Sequence, residues 1–380
     1  MDLQNATPIG EADSYERSVL VTKRNQIVAI TVLVLFAAAY AFRRWHNTGD
    51  ERATLLAALP ASATSVIYAN VKELRQSRFA AELYAWAPRN SVDAEYADFL
   101  RQTGFDYELD LGQIAIAVLR QPEGSAIFVI ATGRFDRKKI DAYAARSGAQ
   151  QNRNGHDIFS VPVNNGQQRI AFTFLRPDRV ALTDEPDLNA LLSQRATGDD
   201  ARQWRERFER LAGSPIFAVV RQDAAAGSAL ESRAPGGMQS PELSALLDQL
   251  QWISLAGKPE DDRLRVVIEG ESASDSAAKQ LTEVLGTLIL LAQTGLNGPA
   301  TRQQLDPSAR EAYLELLKNA DVSRIDRGDT KAVRLMFEVT PRLLDSARTS
   351  VPLPPAAAKP QPERQHPANP RDANKRPKGR

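Results

Sequence analysis

Histidine and cysteine supply many of the nucleophiles, proton shuttles and metal ligands of proteins, and this chain has few of either. It contains no cysteine and three histidines among 380 residues, which excludes disulfides, thiolate nucleophiles and sulfur-bound metals. His46 follows a hydrophobic segment and His366 lies in a proline-rich tail, so only His156 belongs to the globular part. Because a histidine metal site needs several imidazoles, we predict no metal and no cofactor.

Serine-based and nucleotide-dependent chemistry also lack their usual motifs. A Ser-His-Asp triad would have to use His156, which lies in the turn-like stretch 152–157. Residues 270–274, Gly-Glu-Ser-Ala-Ser, come nearest to a Gly-x-Ser-x-Gly elbow but lack the closing glycine. No Walker loop and no Gly-x-Gly-x-x-Gly loop occurs. We interpret His156 as a hairpin residue and assign no catalytic residue.

Carboxylates are the remaining candidates, because aspartate and glutamate can act as acid and base without histidine. They cluster at Asp106, Glu108 and Asp110, and again at Asp199 and Asp200. A catalytic pair needs proximity in space, which spacing in the sequence does not provide. Solvated loops are the favoured interpretation. If two of these carboxylates formed a catalytic pair, the protein would be a carboxylate-based hydrolase acting on envelope glycan or lipid, and this is the alternative interpretation.

Two further patterns have ordinary structural interpretations. The Arg-Gly-Asp sequence at 327–329 matches a cell-adhesion tripeptide, but it lies between two predicted strands, where Gly-Asp is common turn chemistry. Trp204, Phe208 and Leu211 could line a ligand groove, but their i, i+4, i+7 spacing is typical of a helix stripe that faces a core. We predict a turn at the first and a core stripe at the second.

The hydrophobic segment 27–42 is the strongest single signal in the chain, with Thr31 as its only polar residue. Its sixteen residues form about 24 Å of helix, against a hydrocarbon core of about 30 Å. Basic residues directly before and after it can place their charges at the two interfaces. We predict a transmembrane helix over 27–42 that contacts the lipid bilayer, preceded by a short N-terminal segment, 1–26.

A cleaved signal peptide is the rival interpretation, because residues 39–41, Ala-Tyr-Ala, have the small-x-small form of a processing site. The 26 residues before the segment are long for a signal peptide and contain four acidic side chains, which disfavours cleavage. Three basic residues flank the segment on each side, so the positive-inside rule does not decide its orientation.

The chain as a whole has the composition of a globular protein, with 43% hydrophobic and 25% charged residues. Its net charge of +1 gives no long-range field to attract nucleic acid, so no specific nucleic-acid binding is predicted. The tail 350–380 differs, because its last thirty residues hold eight prolines and seven basic residues. We predict that this tail is disordered, with a solubilising role as the favoured interpretation and binding of an envelope protein or an anionic polymer as the alternative.

Hydrophobic patterns after the anchor predict an α+β ectodomain. The order strand, helices, hairpin, helix, strands, short helix occurs in 53–212 and recurs in 213–349. We therefore predict two α+β units that duplicate one antiparallel-sheet-plus-helix unit. In the long helix predicted from Ser274, the apolar stretch Val284 to Ala292 is expected to be the most buried helix of the second unit. The predicted strands are 65–71, 113–119, 125–132, 156–163, 169–175, 179–183, 214–220, 252–257, 264–270, 322–325 and 332–339.

The start of the globular part resembles a known family. Residues 59–63 (Leu-Pro-Ala-Ser-Ala), 65–71 (Ser-Val-Ile-Tyr-Ala-Asn-Val) and 74–77 (Leu-Arg-x-Ser), placed after an N-terminal anchor, look like a bacterial family of uncharacterised single-pass membrane-anchored proteins with an α+β ectodomain. The resemblance implies an inner-membrane location with the short N-terminal segment, 1–26, in the cytoplasm and the C-terminal domain on the periplasmic side, and it supplies no catalytic residue. We expect a non-enzymatic binding or structural/interaction module of the cell envelope.

Overall fold

One antiparallel sheet organises the part of the chain that this computed structural model describes. The described residues are 49–86, 94–121, 124–164, 166–222, 245, 247–272, 274–328 and 330–350. The strands are β1 Ala63–Ala69, β2 Leu111–Gln121, β3 Gly124–Gly133, β4 Ala149–Arg153, β5 His156–Val163, β6 Gln168–Arg176, β7 Arg179–Thr183, β8 Ile216–Arg221, β9 Trp252–Glu260, β10 Arg263–Ser272, β11 Asp321–Arg327 and β12 Thr330–Val339.

Helices cover both faces of this sheet. They are α1 Gly49–Leu56, α2 Val71–Leu74, α3 Arg78–Trp86, α4 Ala94–Thr103, α5 Tyr107–Asp110, α6 Arg137–Ser147, α7 Leu188–Ser193, α8 Gly198–Arg210, α9 Asp275–Asn297, α10 Pro299–Gln304, α11 Pro307–Lys318 and α12 Pro341–Ser350. The predicted α+β class is therefore confirmed as a large antiparallel sheet with helices.

The strand order is β11-β12-β10-β9-β8-β1-β2-β3-β7-β6-β5-β4. Outward from β8 the neighbours are β9, β10, β12 and β11, and outward from β1 they are β2, β3, β7 and β6, so the two orders correspond strand by strand. The side that starts at β1 carries β5 and β4 in addition. Each central hairpin, β2–β3 or β9–β10, leads into a helix, α6 or α9. Both hairpins were predicted, and both are confirmed.

Alternation along the strands divides the core into two layers. On the front face, Tyr68 and its neighbours pack under α1, α7 and α8 in the largest apolar cluster. On the back face, Ala69 packs in a cluster with α4 and α6, and Ile253 packs in a separate cluster with α9. A strand contributes to both layers because its successive side chains point to opposite faces.

The two halves of the sheet join where β1 pairs with β8. Tyr68 lies directly opposite Phe217 in this pairing, and the two rings stack with their centroids 5.0 Å apart. Both side chains are essentially inaccessible, at 1% and 0% exposure. Such an aromatic pair adds about 0.5–1.5 kcal/mol beyond its burial.

Two differences from the predicted elements have local causes. The strand predicted over 65–71 ends at Ala69, because the side chain of Asn70 accepts a hydrogen bond from the Glu73 backbone N–H at 3.2 Å and caps α2. Strand β4 was not predicted. All five of its residues are exposed, so it shows no alternation of apolar and polar side chains.

The prediction that Val284 to Ala292 would be the most buried helix of the second unit is wrong. Ala278 and Leu281, in the first half of α9, are buried against the sheet, whereas Leu290 and Leu291 are among the exposed large hydrophobic side chains. An apolar run predicts burial only where another element covers it, and the neighbouring helices cover this stretch incompletely.

Several predicted segments lie outside the described residues. They are the cytoplasmic segment 1–26, the membrane helix 27–42 and all but the first residue of the tail 350–380. Within the described ranges, no helix combines the length and apolar composition that crossing a bilayer requires.

Replacing Phe217 with alanine should lower the free energy of unfolding by about 3–5 kcal/mol, because it leaves a cavity at the β1–β8 junction. Urea denaturation followed by circular dichroism measures the change. Leu255→Ala is the control, since Leu255 is 39% exposed on the neighbouring strand, and its effect should stay within about 1 kcal/mol. Equal effects of the two substitutions would contradict the role given to the Tyr68–Phe217 pair.

Candidate functional site

A cavity of about 500 Å³ lies between α1, β1 and α8 on the front face of the sheet. This volume is within the range of small-molecule sites in proteins. Its walls come from α1, from the turn that leads into β1, from β1 itself, from the start of α2 and from α8. The lining residues are Arg52, Ala53, Leu56, Ala57, Leu59, Pro60, Ala63, Val66, Tyr68, Asn70, Glu73, Ala196, Ala201, Trp204, Arg205, Phe208, Glu209, Ala212, Ser214 and Pro215.

The inner wall of the cavity is apolar and well packed. Leu56, Leu59, Val66 and Trp204 line it, and each is at least nine-tenths buried. Their positions follow from local structure, because Val66 faces the front of β1 and Trp204 lies on the buried stripe of α8. An apolar wall of this kind favours apolar ligand groups, since contact removes their surface from water.

Charged residues of the lining mark the opening. Glu73, Arg205 and Glu209 are exposed, and Arg52 is half-buried. Two arginines and two glutamates leave the opening without net charge. The site therefore offers no general electrostatic preference for an anionic or a cationic ligand.

Arg52 fastens α1 over the cavity. Its guanidinium donates to the carbonyl oxygens of Phe208 at 2.6 Å and Ala212 at 2.7 Å, at the C-terminal end of α8. It also lies 4.8 Å from the ring centroid of Phe217 and 5.2 Å from that of Tyr68. Burial lowers the pKa of Arg52 from its usual value. The contact is favourable because the carbonyl groups at a helix C-terminus carry partial negative charge, which attracts the guanidinium cation.

A second connection joins α1 to the sheet through Glu51. The Tyr68 hydroxyl donates to Gln113 Oε1 at 2.9 Å, and Gln113 Nε2 donates to the Glu51 carboxylate at 3.1 Å. Burial raises the pKa of Tyr68 well above its usual value, so its hydroxyl stays protonated and remains a donor. Glu51 and Arg52, two consecutive residues, thus hold α1 in place as one wall of the cavity.

The sequence interpretation of Trp204, Phe208 and Leu211 is correct but incomplete. Trp204 packs in the front core, with Phe208 and Leu211 partly buried against it. Trp204 and Phe208 also line the cavity, so the groove that the spacing argument set aside is present. Spacing alone could not show this, because a core stripe and a cavity wall need the same apolar residues at the same helical positions.

The predicted carboxylate clusters act as caps and ion pairs. Asp106 caps α5 by accepting from the Glu108 backbone N–H at 2.8 Å, and Asp110 pairs with Arg134 at 2.6 Å. Burial, followed by the nearby charge of Asp106, raises the pKa of Glu108. None of these three residues lines the cavity.

The other cluster lies in the first turn of α8. Asp199 pairs with Arg202 at 3.1 Å, and Asp200 pairs with Arg221. Acidic side chains in a first turn also complement the helix dipole. A structural role therefore accounts for both groups, and neither lines the cavity.

Glu269 and Glu271 are the most deeply buried carboxylates of the described residues, and each is bound by two arginines. Arg207 and Arg210 bind Glu271, with Arg207 at 2.6 Å. Arg327 and Arg334 bind Glu269, each at 2.7 Å. These contacts occupy both oxygens of each carboxylate, which gives both groups a structural role.

The remaining sequence candidates occupy ordinary structural positions. His156 begins β5, five strands from β1, which corresponds to about 24 Å across the sheet. Residues 270–272 belong to β10, and Ser274 caps α9 by accepting from the Ala277 backbone N–H at 3.2 Å, so this stretch is not a nucleophile elbow. The 327–329 tripeptide falls at the β11–β12 hairpin as predicted, with Gly328 at φ +69° and residue 329 outside the described part.

Among the described residues, no three histidine, aspartate or glutamate side chains are arranged to hold a metal ion. The buried polar side chains of the lining bond to the protein itself: the Tyr68 hydroxyl donates to Gln113, and the Asn70 amide donates to Glu73 at 2.8 Å. The arrangement is therefore suited to enclosing an apolar molecule.

The Glu269 cluster should make stability depend on acid pH. Burial alone raises the pKa of Glu269, but hydrogen bonds from Arg334 and Arg327 outweigh it, and the net pKa is lowered. The contribution is therefore present above the usual glutamate pKa of about 4.3 and is lost as pH falls through the folded value. Between pH 6 and pH 3, the wild-type chain should lose more unfolding free energy than Glu269→Gln.

Denaturant titrations at several pH values measure this difference. Glu206→Gln is the matched control, because the Glu206 side chain is 59% exposed in its contact with Arg202. It should follow the wild-type profile. A Glu269→Gln profile parallel to the wild type would contradict the lowered pKa.

No protein-family model matches the chain, and no curated protein does. Solved structures that resemble it include three crystal forms of TP0453. Form III is 10% identical with a TM-score of 0.42, covering 77% of this chain and 97% of that one. Form I is 9% identical with a TM-score of 0.41, and form IV is 9% identical with a TM-score of 0.39, each covering 78% of this chain and 96% of that one. Likeness at this level supports no inference about this chain.

Proposed function

We propose that this protein is a membrane-anchored, non-enzymatic binding module of the bacterial envelope and that it holds an apolar molecule in the cavity between α1, β1 and α8. The observation that carries the proposal is the cavity of about 500 Å³ with its buried apolar wall. Pockets of this size with few polar groups are the usual form of a small-molecule site.

The ligand class follows from the lining. Leu56, Leu59, Val66, Trp204 and Phe208 offer apolar contact, which suits a hydrocarbon chain or a ring system. The balanced charges at the opening can accept a neutral or zwitterionic polar end in contact with water. A small amphiphile that places its apolar part inside meets both conditions.

Binding is favoured over hydrolysis by the state of the carboxylates. Those of the lining, Glu73 and Glu209, are exposed at the opening. The buried ones, Glu269 and Glu271, are bound by arginines outside the cavity. A pair of carboxylates that differ in protonation within one pocket, as hydrolysis of glycans requires, is not found among the described residues.

The membrane anchor is the second part of the proposal. Segment 27–42 forms a single transmembrane helix in the inner membrane, with 1–26 in the cytoplasm and the C-terminal domain in the periplasm. Its apolar composition and flanking basic residues support this. The basic tail, 350–380, binds an anionic polymer or an envelope protein in this proposal.

A duplication is the third part. The ranges 53–212 and 213–349 derive from one antiparallel-sheet-plus-helix unit. The corresponding strand orders outward from β1 and from β8 support it, as do the two hairpins that each lead into a helix. Pairing of β1 with β8 then joins the two copies at equivalent edges.

The cavity proposal predicts where an apolar probe reacts. An uncharged diazirine-bearing hydrocarbon, photoactivated with the membrane-bound full-length chain, should form adducts on cavity residues such as Leu56 and Phe208, as identified by peptide mass spectrometry. Ala201→Phe should reduce these adducts by about tenfold or more, because its ring occupies the cavity. Ala145→Phe, at an exposed position of α6, should leave them unchanged. Adducts spread evenly over the surface would contradict the site.

The proposed orientation predicts the activity of C-terminal reporters. Alkaline phosphatase, which folds to an active form in the periplasm, should be active when fused after residue 380. A fluorescent protein that matures only in the cytoplasm should stay dark at the same position. The reverse pattern would place the domain in the cytoplasm and contradict the orientation.

A further inference from the structure

Exposed leucines are concentrated on the second half of α9. Leu288, Leu290 and Leu291 lie within four positions and are 40%, 64% and 62% exposed. Large apolar side chains grouped on a surface mark a site of contact with a partner or a membrane. No other element of the described residues buries these three side chains.

The same part of the chain carries no charge. From Val284 to Thr301, eighteen consecutive residues contain no Asp, Glu, Lys or Arg, and the flanking residues are Glu283 and Arg302. Only the first half of α9 packs closely on the sheet, through Ala277, Ala278 and Leu281. The second half thus presents an uncharged helical surface that can leave water without desolvating an ion.

The direction of α9 shows which end of the sheet this surface is near. We call proximal the end at which β1 finishes and β8 and β10 begin, and distal the opposite end, where β10 finishes. Helix α9 begins at the distal end and runs back along the sheet. Leu290, fifteen residues on, is about 22 Å from its start, and β10 is about 34 Å long.

Contacts of the neighbouring helix agree with this direction. Gln293 Nε2 donates to the Leu317 carbonyl oxygen at 2.9 Å, which joins the second half of α9 to the end of α11. Glu311, on the same helix α11, pairs with Arg342 at 2.5 Å. Arg342 follows β12, whose last residue, Val339, lies opposite Leu264 at the proximal start of β10. The exposed leucines therefore lie toward the proximal end.

Two further features belong to the proximal end. Leu109, which is 51% exposed, lies two residues before β2, whose start lies beside the end of β1. Helix α1 is also near this end, because Arg52 contacts Phe217 near the start of β8 and the carbonyl groups of Phe208 and Ala212 around the end of α8. Four of the five exposed large hydrophobic side chains of the described residues are thus on the side from which the chain continues toward residue 42.

We infer that the proximal end of the domain rests on the bilayer, with Leu288, Leu290 and Leu291 of α9, together with Leu109, in the interfacial layer of lipid. This inference rests on the proposed anchor at 27–42. Residues 43–48 separate that anchor from Gly49, and even a fully extended chain spans only about 25 Å over this distance. The domain is therefore held within reach of the membrane surface at its proximal end.

The chemistry of the surface favours lipid over a protein partner. Residues 284–301 contain no Trp, Tyr or Arg, the side chains that supply most binding energy in protein interfaces. Residues 284–297 of α9 are mostly leucine, isoleucine, valine, alanine, glycine and threonine. A helix satisfies its backbone hydrogen bonds internally and therefore tolerates contact with lipid. A second copy of this chain is the competing occupant, and the experiment separates the two.

Because the chain has no cysteine, single substitutions give unique labelling sites. Full-length Leu290→Cys, Leu109→Cys and Lys279→Cys carry a nitrobenzoxadiazole probe in vesicles of phosphatidylcholine and phosphatidylglycerol, with and without brominated acyl chains. Lys279 is an exposed residue of α9 near the distal end and is the matched control. Quenching by brominated lipid should be several-fold greater at positions 290 and 109 than at 279. Circular dichroism should show equal folding of the three variants.

Equal quenching at 290 and 279 would overturn the inference. Disulfide-linked dimers of unlabelled Leu290→Cys, formed equally in vesicles and in detergent and without lipid quenching, would assign the surface to a second copy and also overturn it. Alkaline extraction of the same vesicles tests the anchor separately. If the chain resists alkaline extraction but the probe is not quenched, the anchor is supported and the lipid contact is contradicted. If the chain is extracted but the probe is quenched, the lipid contact is supported and the anchor is contradicted.

Discussion

Pairing of β1 with β8 is the contact on which the rest of this structure depends. It joins two sets of strands that would otherwise form separate sheets, each with an open edge. Tyr68 and Phe217, directly opposite each other, place two buried rings at the junction. The same rings lie under the Arg52 guanidinium, and Tyr68 lines the cavity. The junction of the two halves and the candidate site are therefore one set of contacts.

Helix α8 also joins the two halves of the sheet. It belongs to the first half in sequence, but its side chains pack against strands of the second half. Trp204 packs edge-to-face on Trp252 with ring centroids 4.8 Å apart, and Arg207 lies 3.9 Å over the Trp252 ring while it binds Glu271. A buried ion pair adds little net stability, but its loss would leave an uncompensated charge. The pair thus fixes where α8 lies, and α8 forms the wall of the cavity.

Anchor, cavity and leucine surface fit one arrangement under our proposals. Helix α1 is the first element after the anchor and forms one wall of the cavity, and the exposed leucines of α9 lie toward the same end of the sheet. A domain resting on lipid at this end would have its cavity beside the bilayer. An apolar ligand could then pass between membrane and protein with little exposure to water, and such exposure is the main cost of moving it.

The sequence alone determined the α+β class and most of the individual elements. Local signals suffice for these: turn residues set the hairpin at Asp261, and side chains that cap helices set the start of α6 at Asp136 and of α9 at Ser274. Strand β4, which is wholly exposed, lacked such a signal. Only the tertiary structure decided which apolar residues would be buried, enclosed in a cavity or left exposed, because that depends on what packs against them. Trp204 lies on the apolar stripe of α8 and Leu290 lies in the apolar stretch of α9, yet Trp204 lines a cavity and Leu290 faces solvent.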